Sequence, residues 1–195
     1  MISMVKVYNT DERALSYDEA IAVAQEMARQ AVAAGVRAAV CGGLAVQIYG
    51  FTRATQDVDF IAAKLLDLPA SRHLTFGGAT YTTNLHGRNI EIDWIVRDDD
   101  LAEIYLVALR DAKPTEAGFT VISPAWLVIL KMFSGRGKDE MDLLWLLRQD
   151  GLVDRAEVLA LLRQQLGRAA FHSVQSMETY FLEADLLRAR DERSE

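Results

Sequence analysis

Cysteine, long apolar runs and basic residues are scarce in this sequence, and each scarcity excludes a class of protein. The 195-residue chain has a single cysteine, Cys41. It therefore has no internal disulfide framework, and we expect a reducing compartment, the cytoplasm. No apolar run approaches the roughly 18 residues that cross a bilayer. Residues 1–12 show no basic region followed by an apolar stretch. We expect neither a secretory signal nor a membrane partner.

Basic residues are outnumbered, with 21 Lys and Arg against 28 Asp and Glu, which gives a formal net charge of −7. Proteins that coat nucleic acids usually carry a basic surface, because neutralising phosphates supplies most of their affinity. That class is disfavoured, although a local basic patch could still hold one RNA end. An acidic chain is also compatible with a site that concentrates divalent cations. The three histidines are scattered, so no zinc cluster is expected.

The periodicity of apolar residues predicts a mixed α/β region followed by helices. An S-x-x-E capping box at Ser16 starts a helix that runs to residue 34 and stops at Gly35. The other predicted helices are 44–49, 101–111, 125–133, 140–149, 154–166 and 171–189. The predicted strands are 36–41, 51–62, 74–84 and 90–96, the last two forming a hairpin around residues 86–89.

Ser123-Pro124 marks the change between these regions, since Ser is a good N-cap and Pro fits the first helical position. The fold class is therefore α+β. We expect a small mixed sheet flanked by helices in residues 1–122 and a helical lobe in residues 123–195.

Gly42-Gly43 separates the first predicted strand from the helix that follows it. Glycines let a backbone approach a phosphate closely, and the first amides of the helix offer unpaired N–H groups. The signal is weak by itself, because a tight turn in a structural βα unit has the same pattern.

Four polar residues follow at alternate positions: Arg53, Thr55, Asp57 and Asp59. If this stretch is extended, all four project from one face, and the two carboxylates can converge on hard divalent cations such as Mg²⁺. A site with two cations generally needs a third carboxylate from a neighbouring strand. Asp93 is the favoured candidate, with Glu91 as the fallback. Solvated strands also carry such pairs, so an outward polar face remains the alternative.

The stretch from Gly42 to Ile61 resembles the first motif of the DNA polymerase β-like nucleotidyltransferase superfamily, in particular the branch of AbiEii-type and MenT-type toxins and minimal nucleotidyltransferases. The resemblance implies a nucleotidyltransferase fold in which the glycines meet a triphosphate. It implies that Asp57 and Asp59 bind metal, Mg²⁺ or Mn²⁺, and that Asp93 is the third acid, which activates the acceptor hydroxyl.

Residues 127–144 resemble a second, AbiEii-like motif: a helical Lys131, then Arg136-x-Lys138-Asp139 and a further Asp142. The resemblance implies that Lys131 and Lys138 contact nucleotide phosphates and that Asp139 supports the site. A structural alternative is that Asp139 caps the predicted helix at residue 140 while Lys138 is merely solvated.

Three hypotheses follow from these residues. The first is an enzyme that binds Mg-NTP and transfers a nucleoside monophosphate to a hydroxyl of an RNA end, a protein or a small molecule, with Arg53, Lys131 and the glycine amides holding the triphosphate. The second is a toxin–antitoxin component or regulator that keeps the fold and binds nucleotide without turnover. The third is a structural protein whose C-terminal helices mediate oligomerisation. A cognate toxin or antitoxin partner is expected under the first two.

Overall fold

The computed structural model describes residues 14–193. Its first helix, α1 (Tyr17–Ala33), begins at the predicted capping box. The Ser16 hydroxyl accepts from the Glu19 amide at 3.2 Å, and the Glu19 carboxylate accepts from the Ser16 amide at 2.8 Å. The helix ends at Ala34, followed by Gly35 with a φ of +62°. The predicted beginning and end of α1 are confirmed.

A seven-stranded mixed sheet forms the centre of the molecule. Its strands are β1 (Ala38–Cys41), β2 (Asp57–Ala62), β3 (Arg72–His73), β4 (Gly78–Leu85), β5 (Arg88–Ile95), β6 (Lys113–Pro114) and β7 (Thr120–Val121). The spatial order is β3-β4-β5-β2-β1-β7-β6. The β2–β5 and β1–β7 pairs are parallel and the other pairs are antiparallel.

The remaining chain is mostly helical. The further helices are α2 (Gly42–Ile48), α3 (Ala102–Arg110), α4 (Pro124–Ser134), α5 (Gly137–Arg148), α6 (Arg155–Leu166) and α7 (Ala170–Asp191), with a 3₁₀ turn at Gly167–Ala169. Ser123 caps α4 by accepting from the Trp126 amide, as its sequence predicts. Within residues 14–193, no helix has both the length and the apolar character needed to cross a membrane.

The predicted strand at 51–62 is too long, since β2 begins only at Asp57. The preceding backbone is held by local bonds instead. The Phe51 amide donates to the Val46 carbonyl, and the Gln47 side chain donates to the Arg53 carbonyl. Thr55 makes an isolated bridge to Leu15. These contacts hold the segment against α2 and against Leu15, which precedes α1, before the ladder starts.

Other boundaries also differ from the prediction, since β1 begins at Ala38, β4 at Gly78 and α2 at Gly42. The hairpin turn contains only His86 (φ 51°) and Gly87 (φ +82°), so residues 88 and 89 belong to β5. Helix α5 begins three residues before the predicted start at 140, with Arg136 at its N-cap. Asp139 therefore lies inside the first turn, buried, and the alternative that it caps this helix is wrong.

The apolar face of β5 packs into the core. Ile90, Ile92 and Trp94 are buried, and the Trp94 ring lies 5.2 Å from Phe60 on β2. One continuous core includes buried residues from both sides of the predicted boundary between residues 122 and 123, such as Ile122 and Trp126. The division into lobes 1–122 and 123–195 stays a prediction.

Candidate active site

The register of the sheet brings three carboxylates together. Asp57 and Asp59 share one face of β2, and the parallel pairing sets Asp93 of β5 opposite Asp59. Carboxylate oxygens of Asp57, Asp59 and Asp93 all lie within 4.8 Å of one another. We call these three side chains the carboxylate triad. Glu91, the fallback candidate, lies opposite Asp57 but is exposed, 3.6 Å from the Arg72 guanidinium.

Gly42 allows the backbone to pass directly over the carboxylate triad. It adopts a φ of +58°, and a Cβ at this position would lie 1.8 Å from Asp59 Oδ2. At Gly43 a Cβ would lie 2.6 Å from Thr55 Oγ1 and 3.1 Å from Arg53 Nη2. Any side chain at either position would collide with the polar residues that the sequence predicts on one face. The glycines therefore bring the start of α2 into contact with those residues.

The charges of the carboxylate triad are poorly compensated. Burial, followed by the charges of Asp57 and Asp93, raises the pKa of Asp59 to about 7, although Lys138 and Lys131 lower it in part. Thr55 gives neutral support by donating from its hydroxyl to Asp57 Oδ1 at 3.2 Å. Clustered carboxylates that repel one another are a suitable donor set for hard divalent cations, which prefer several oxygen ligands.

Two residues that the sequence analysis did not select hold the third acid. Thr80 on β4 is fully buried and donates from its hydroxyl to Asp93 Oδ1 at 2.6 Å. Arg72 on β3 donates from Nε to Thr80 Oγ1 at 2.8 Å. The sequence carries no signal for this contact, because β3 has only two residues and its pairing with β4 is set by tertiary structure.

We call Gly42-Gly43, where the chain passes from β1 into α2, the glycine turn. A second group of charges lies beside it, and we call this group the buried ion cluster: Arg53, Lys131, Asp139 and Asp142. Asp142 has no exposed side-chain surface and accepts two bonds from Arg53, at 2.6 and 2.7 Å. Lys131 donates to Asp142 at 2.6 Å and to Asp139 at 2.8 Å. Burial would raise the pKa of Asp139, but Lys131, Ser134 and Arg136 outweigh it and lower that pKa to about 2.

The structure thus brings the predicted residues into two adjoining groups. Arg53 and Lys131 face Asp142 through their charged ends, and Lys131 retains only 5% of its side-chain exposure. Lys138 is exposed, and its charge lowers the pKa of Asp59. Asp142, which the sequence analysis placed in a motif without giving it a role, connects the loop before β2 to helices α4 and α5.

A cavity of about 340 Å³ opens beside Gly42 and Asp59. Its walls are mostly apolar and aromatic, with contributions from Phe76, Ile95, Leu101, Tyr105, Leu127 and Leu130. Arg97 lies on one wall, with its guanidinium 4.9 Å from the ring centres of both Phe76 and Tyr105. Arg136, Lys131 and Asp139 also line the cavity, so it combines apolar and aromatic surfaces with charged groups of both signs.

Comparisons with known proteins agree with the fold. No protein-family model matches the chain, and no curated protein matches it in sequence. A solved structure, that of an antigenic nucleotidyltransferase-like protein from Paracoccidioides brasiliensis, is similar with a TM-score of 0.52 and 16% sequence identity. The match covers 93% of each chain. The chain therefore has a nucleotidyltransferase-like fold, a mixed sheet flanked by helices with helices at the C-terminal end.

Proposed function

We propose that this protein is a metal-dependent nucleotidyltransferase that transfers a nucleoside monophosphate from a nucleoside triphosphate to an acceptor hydroxyl. The observation that carries the proposal is the carboxylate triad, three acids within 4.8 Å directly beneath a glycine turn that only glycine permits. The likeness in fold supports the same conclusion. Repulsion among like charges at this point has no structural benefit, so it indicates a site that binds cations.

Asp57, Asp59 and Asp93 would hold the metal, which we propose to be Mg²⁺ or Mn²⁺ because all the donors are carboxylate oxygens. The pKa of Asp59 is raised by burial and then by the charges of Asp57 and Asp93, and a divalent cation would offset both effects by stabilising the charged form. When bound, such cations neutralise phosphate charge and activate the attacking hydroxyl.

The reaction proposed is an in-line displacement at the α-phosphorus. The acceptor oxygen forms a bond to that phosphorus, the bond from phosphorus to the bridging oxygen of the β-phosphate breaks, and pyrophosphate leaves. Asp93 takes the acceptor proton, and Thr80 holds its Oδ1 atom in place. Such transfers depend mainly on positioning and charge neutralisation, so few side chains are needed.

The triphosphate would lie against the backbone of Gly42 and Gly43, with the exposed Lys138 close enough to Asp59 to contribute charge. Arg53, Thr55 and Lys131 would complete the phosphate-binding surface. Because Arg53 and Lys131 are bonded to Asp142, we propose that they hold the phosphate-binding surface in shape more than they neutralise the charge of the triphosphate. Asp139 would support Lys131 from the opposite side.

The cavity beside Asp59 would take the nucleoside. Its volume of about 340 Å³ and its aromatic walls suit a base and a ribose, and it lies next to the glycine turn where the phosphates would begin. The resemblance of the two sequence motifs favours the AbiEii-type and MenT-type branch. The acceptor proposed is an RNA end, a protein hydroxyl or a small molecule, and a cognate toxin–antitoxin partner is proposed with it.

The test is incubation of the protein with each α-labelled nucleoside triphosphate, Mg²⁺ or Mn²⁺, and candidate acceptors. We expect transfer by the wild type, and a loss of at least 100-fold in Asp57→Asn and Asp59→Asn, because removing one electrostatic contributor typically costs roughly that factor. The matched control is Asp67→Asn, an exposed acid outside the site. Equal labelling by all four proteins would disprove catalysis at the triad. Nucleotide binding without transfer would identify a non-catalytic, antitoxin-like protein with the same fold.

A further inference from the structure

The register of the sheet places four polar side chains in one row across the strands. Arg72 pairs with Thr80, Thr80 with Asp93, and Asp93 with Asp59. Residues at the same register project from the same face of a sheet, whether the strands are parallel or antiparallel. The row therefore leads from an exposed arginine at the edge, through a fully buried hydroxyl, into the carboxylate triad.

The hydrogen bonds along this row have only one possible direction. A guanidinium has donors and no acceptor, so Arg72 Nε must donate to Thr80 Oγ1, at 2.8 Å. The single hydroxyl proton of Thr80 is then available to Asp93 Oδ1, which accepts it at 2.6 Å. Arg72 Nη2 also points to the same Oδ1 atom, at 3.4 Å. Both contacts therefore hold Asp93 through the same oxygen, Oδ1.

The backbone fixes the arginine end of the row. The Ser71 amide and the Ser71 hydroxyl both donate to the Thr80 carbonyl, at 2.8 and 2.9 Å. Strand β3 is only two residues long, and Arg72 is 56% exposed. These two contacts explain why so short an exposed strand still presents Arg72 at the right place. Thr80 is engaged through its carbonyl and its hydroxyl at once.

We propose that Thr80 and Arg72 are positioning residues that set the rotation of the Asp93 carboxylate toward the other two acids. The proposal rests on the proposed function, in which Asp93 binds metal and takes the acceptor proton. A carboxylate fixed through one oxygen has a fixed direction for the other, so its orientation does not have to be established when the metal binds. Contacts of this kind commonly change metal affinity by about 10- to 100-fold when they are removed.

The test compares Thr80→Val, which keeps the side-chain shape but removes the hydroxyl, with Thr80→Ser, which keeps the hydroxyl. Mn²⁺ binding is measured by calorimetry without nucleotide, and kcat and KM for the preferred triphosphate are measured separately. We expect Thr80→Val to bind Mn²⁺ about 10- to 100-fold more weakly and to lose kcat with little change in KM. Thr80→Ser should recover both quantities to within about 3-fold of the wild type, because it restores the donor to Asp93.

Arg72→Lys provides a second variant at an exposed position, where folding is not at risk. It keeps the positive charge but lacks the Nε donor, so Mn²⁺ affinity should fall in the same direction by a smaller factor. Wild-type Mn²⁺ affinity in both Thr80→Val and Arg72→Lys, with transfer intact in the wild type, would overturn the positioning role alone. A wild type that neither binds Mn²⁺ nor transfers nucleotide would overturn the proposed function and this proposal together.

Discussion

The carboxylate triad and the buried ion cluster are neighbouring groups of acids with opposite electrostatics. In the triad, burial and two like charges raise the pKa of Asp59 to about 7. In the cluster, Lys131 and its neighbours lower the pKa of Asp139 to about 2 despite its burial. The same side-chain type is thus held as a costly charge in one place and as a well-paired charge in the other.

The difference lies in the partners that each group has. The two carboxylates of the cluster form short, multiple bonds with two cations inside it, Arg53 and Lys131, and Asp139 also pairs with Arg136 at 2.6 Å. The three carboxylates of the triad have two neutral donors, Thr55 and Thr80, and one longer contact with a cation, from Arg72 Nη2 to Asp93 at 3.4 Å. Paired charges connect the parts of a fold, whereas unpaired like charges lower its stability until a ligand compensates them. This contrast supports our proposal that the cluster holds the fold together and that the triad binds cations.

Breaking the cluster should have the largest effect. Asp142→Asn leaves the buried Lys131 and the partly buried Arg53 with one carboxylate fewer, and we expect the free energy of unfolding to fall by about 3 to 5 kcal/mol. Urea unfolding at pH 7 measures this. The control is Asp185→Asn, which breaks a half-exposed pair with Arg155 and should cost about 1 kcal/mol or less. Similar losses in the two variants would show that the cluster is no more stabilising than a surface pair.

A substitution that places a side chain against the carboxylate triad should have the next largest effect. Gly42→Ala adds a Cβ 1.8 Å from Asp59 Oδ2 at a φ of +58°. We expect a loss of about 2 to 3 kcal/mol, from backbone strain and from displacement of the carboxylate. The shift in melting temperature caused by Mn²⁺ should disappear as well.

Gly35→Ala is the matched control for Gly42→Ala, because Gly35 has nearly the same φ, +62°, and no atom within 4 Å of an added Cβ. It should show the strain alone, roughly 1 kcal/mol, and should keep the Mn²⁺ response. Loss of that response in both variants would mean that the close approach of Gly42 to Asp59 is not its cause.

Removing one charge from the triad should have the smallest effect and the opposite sign. Because the pKa of Asp59 is raised to about 7, the folded state binds more protons than the unfolded state between about pH 4 and pH 7. The stability of the metal-free protein therefore falls as pH rises through this window. Asp59→Asn should remove this fall in stability. We expect it to stabilise the metal-free protein by about 1 to 2 kcal/mol at pH 8 and to have little effect near pH 4.

Thermal and urea unfolding of Asp59→Asn and the wild type at both pH values, with chelator present, measure the effect. Asp67→Asn serves as the control, because it changes an exposed acid and keeps Asp59, so its stability should follow the same dependence on pH as that of the wild type. A destabilised Asp59→Asn at pH 8 would contradict the contrast between the two groups, since it would mean that the Asp59 charge is favourable in the folded state.

The sequence correctly predicted the features that depend on a few neighbouring residues. The Ser16 capping box, the Ser123-Pro124 start and the hairpin at Gly87 are all present in the structure, because each depends on a few neighbouring residues. Alternation along β5 correctly separated the buried Trp94 face from the face that carries Asp93. The prediction of strand structure before Asp57 was wrong, because contacts with α2 and with Leu15 decide the course of that segment.

The sequence by itself determined the residue types of the site: two glycines, alternating acids and a third acid on a later strand. The sequence favoured Asp93 over Glu91, but only the tertiary structure brought Asp93 next to Asp57 and Asp59, because the parallel register between β2 and β5 cannot be read from either strand alone. The same holds for Asp142 and Arg53, which are 89 positions apart, and for Arg72, which reaches Asp93 through Thr80. Pairings over such distances depend on how the whole sheet and its helices pack, and no short stretch of sequence encodes them.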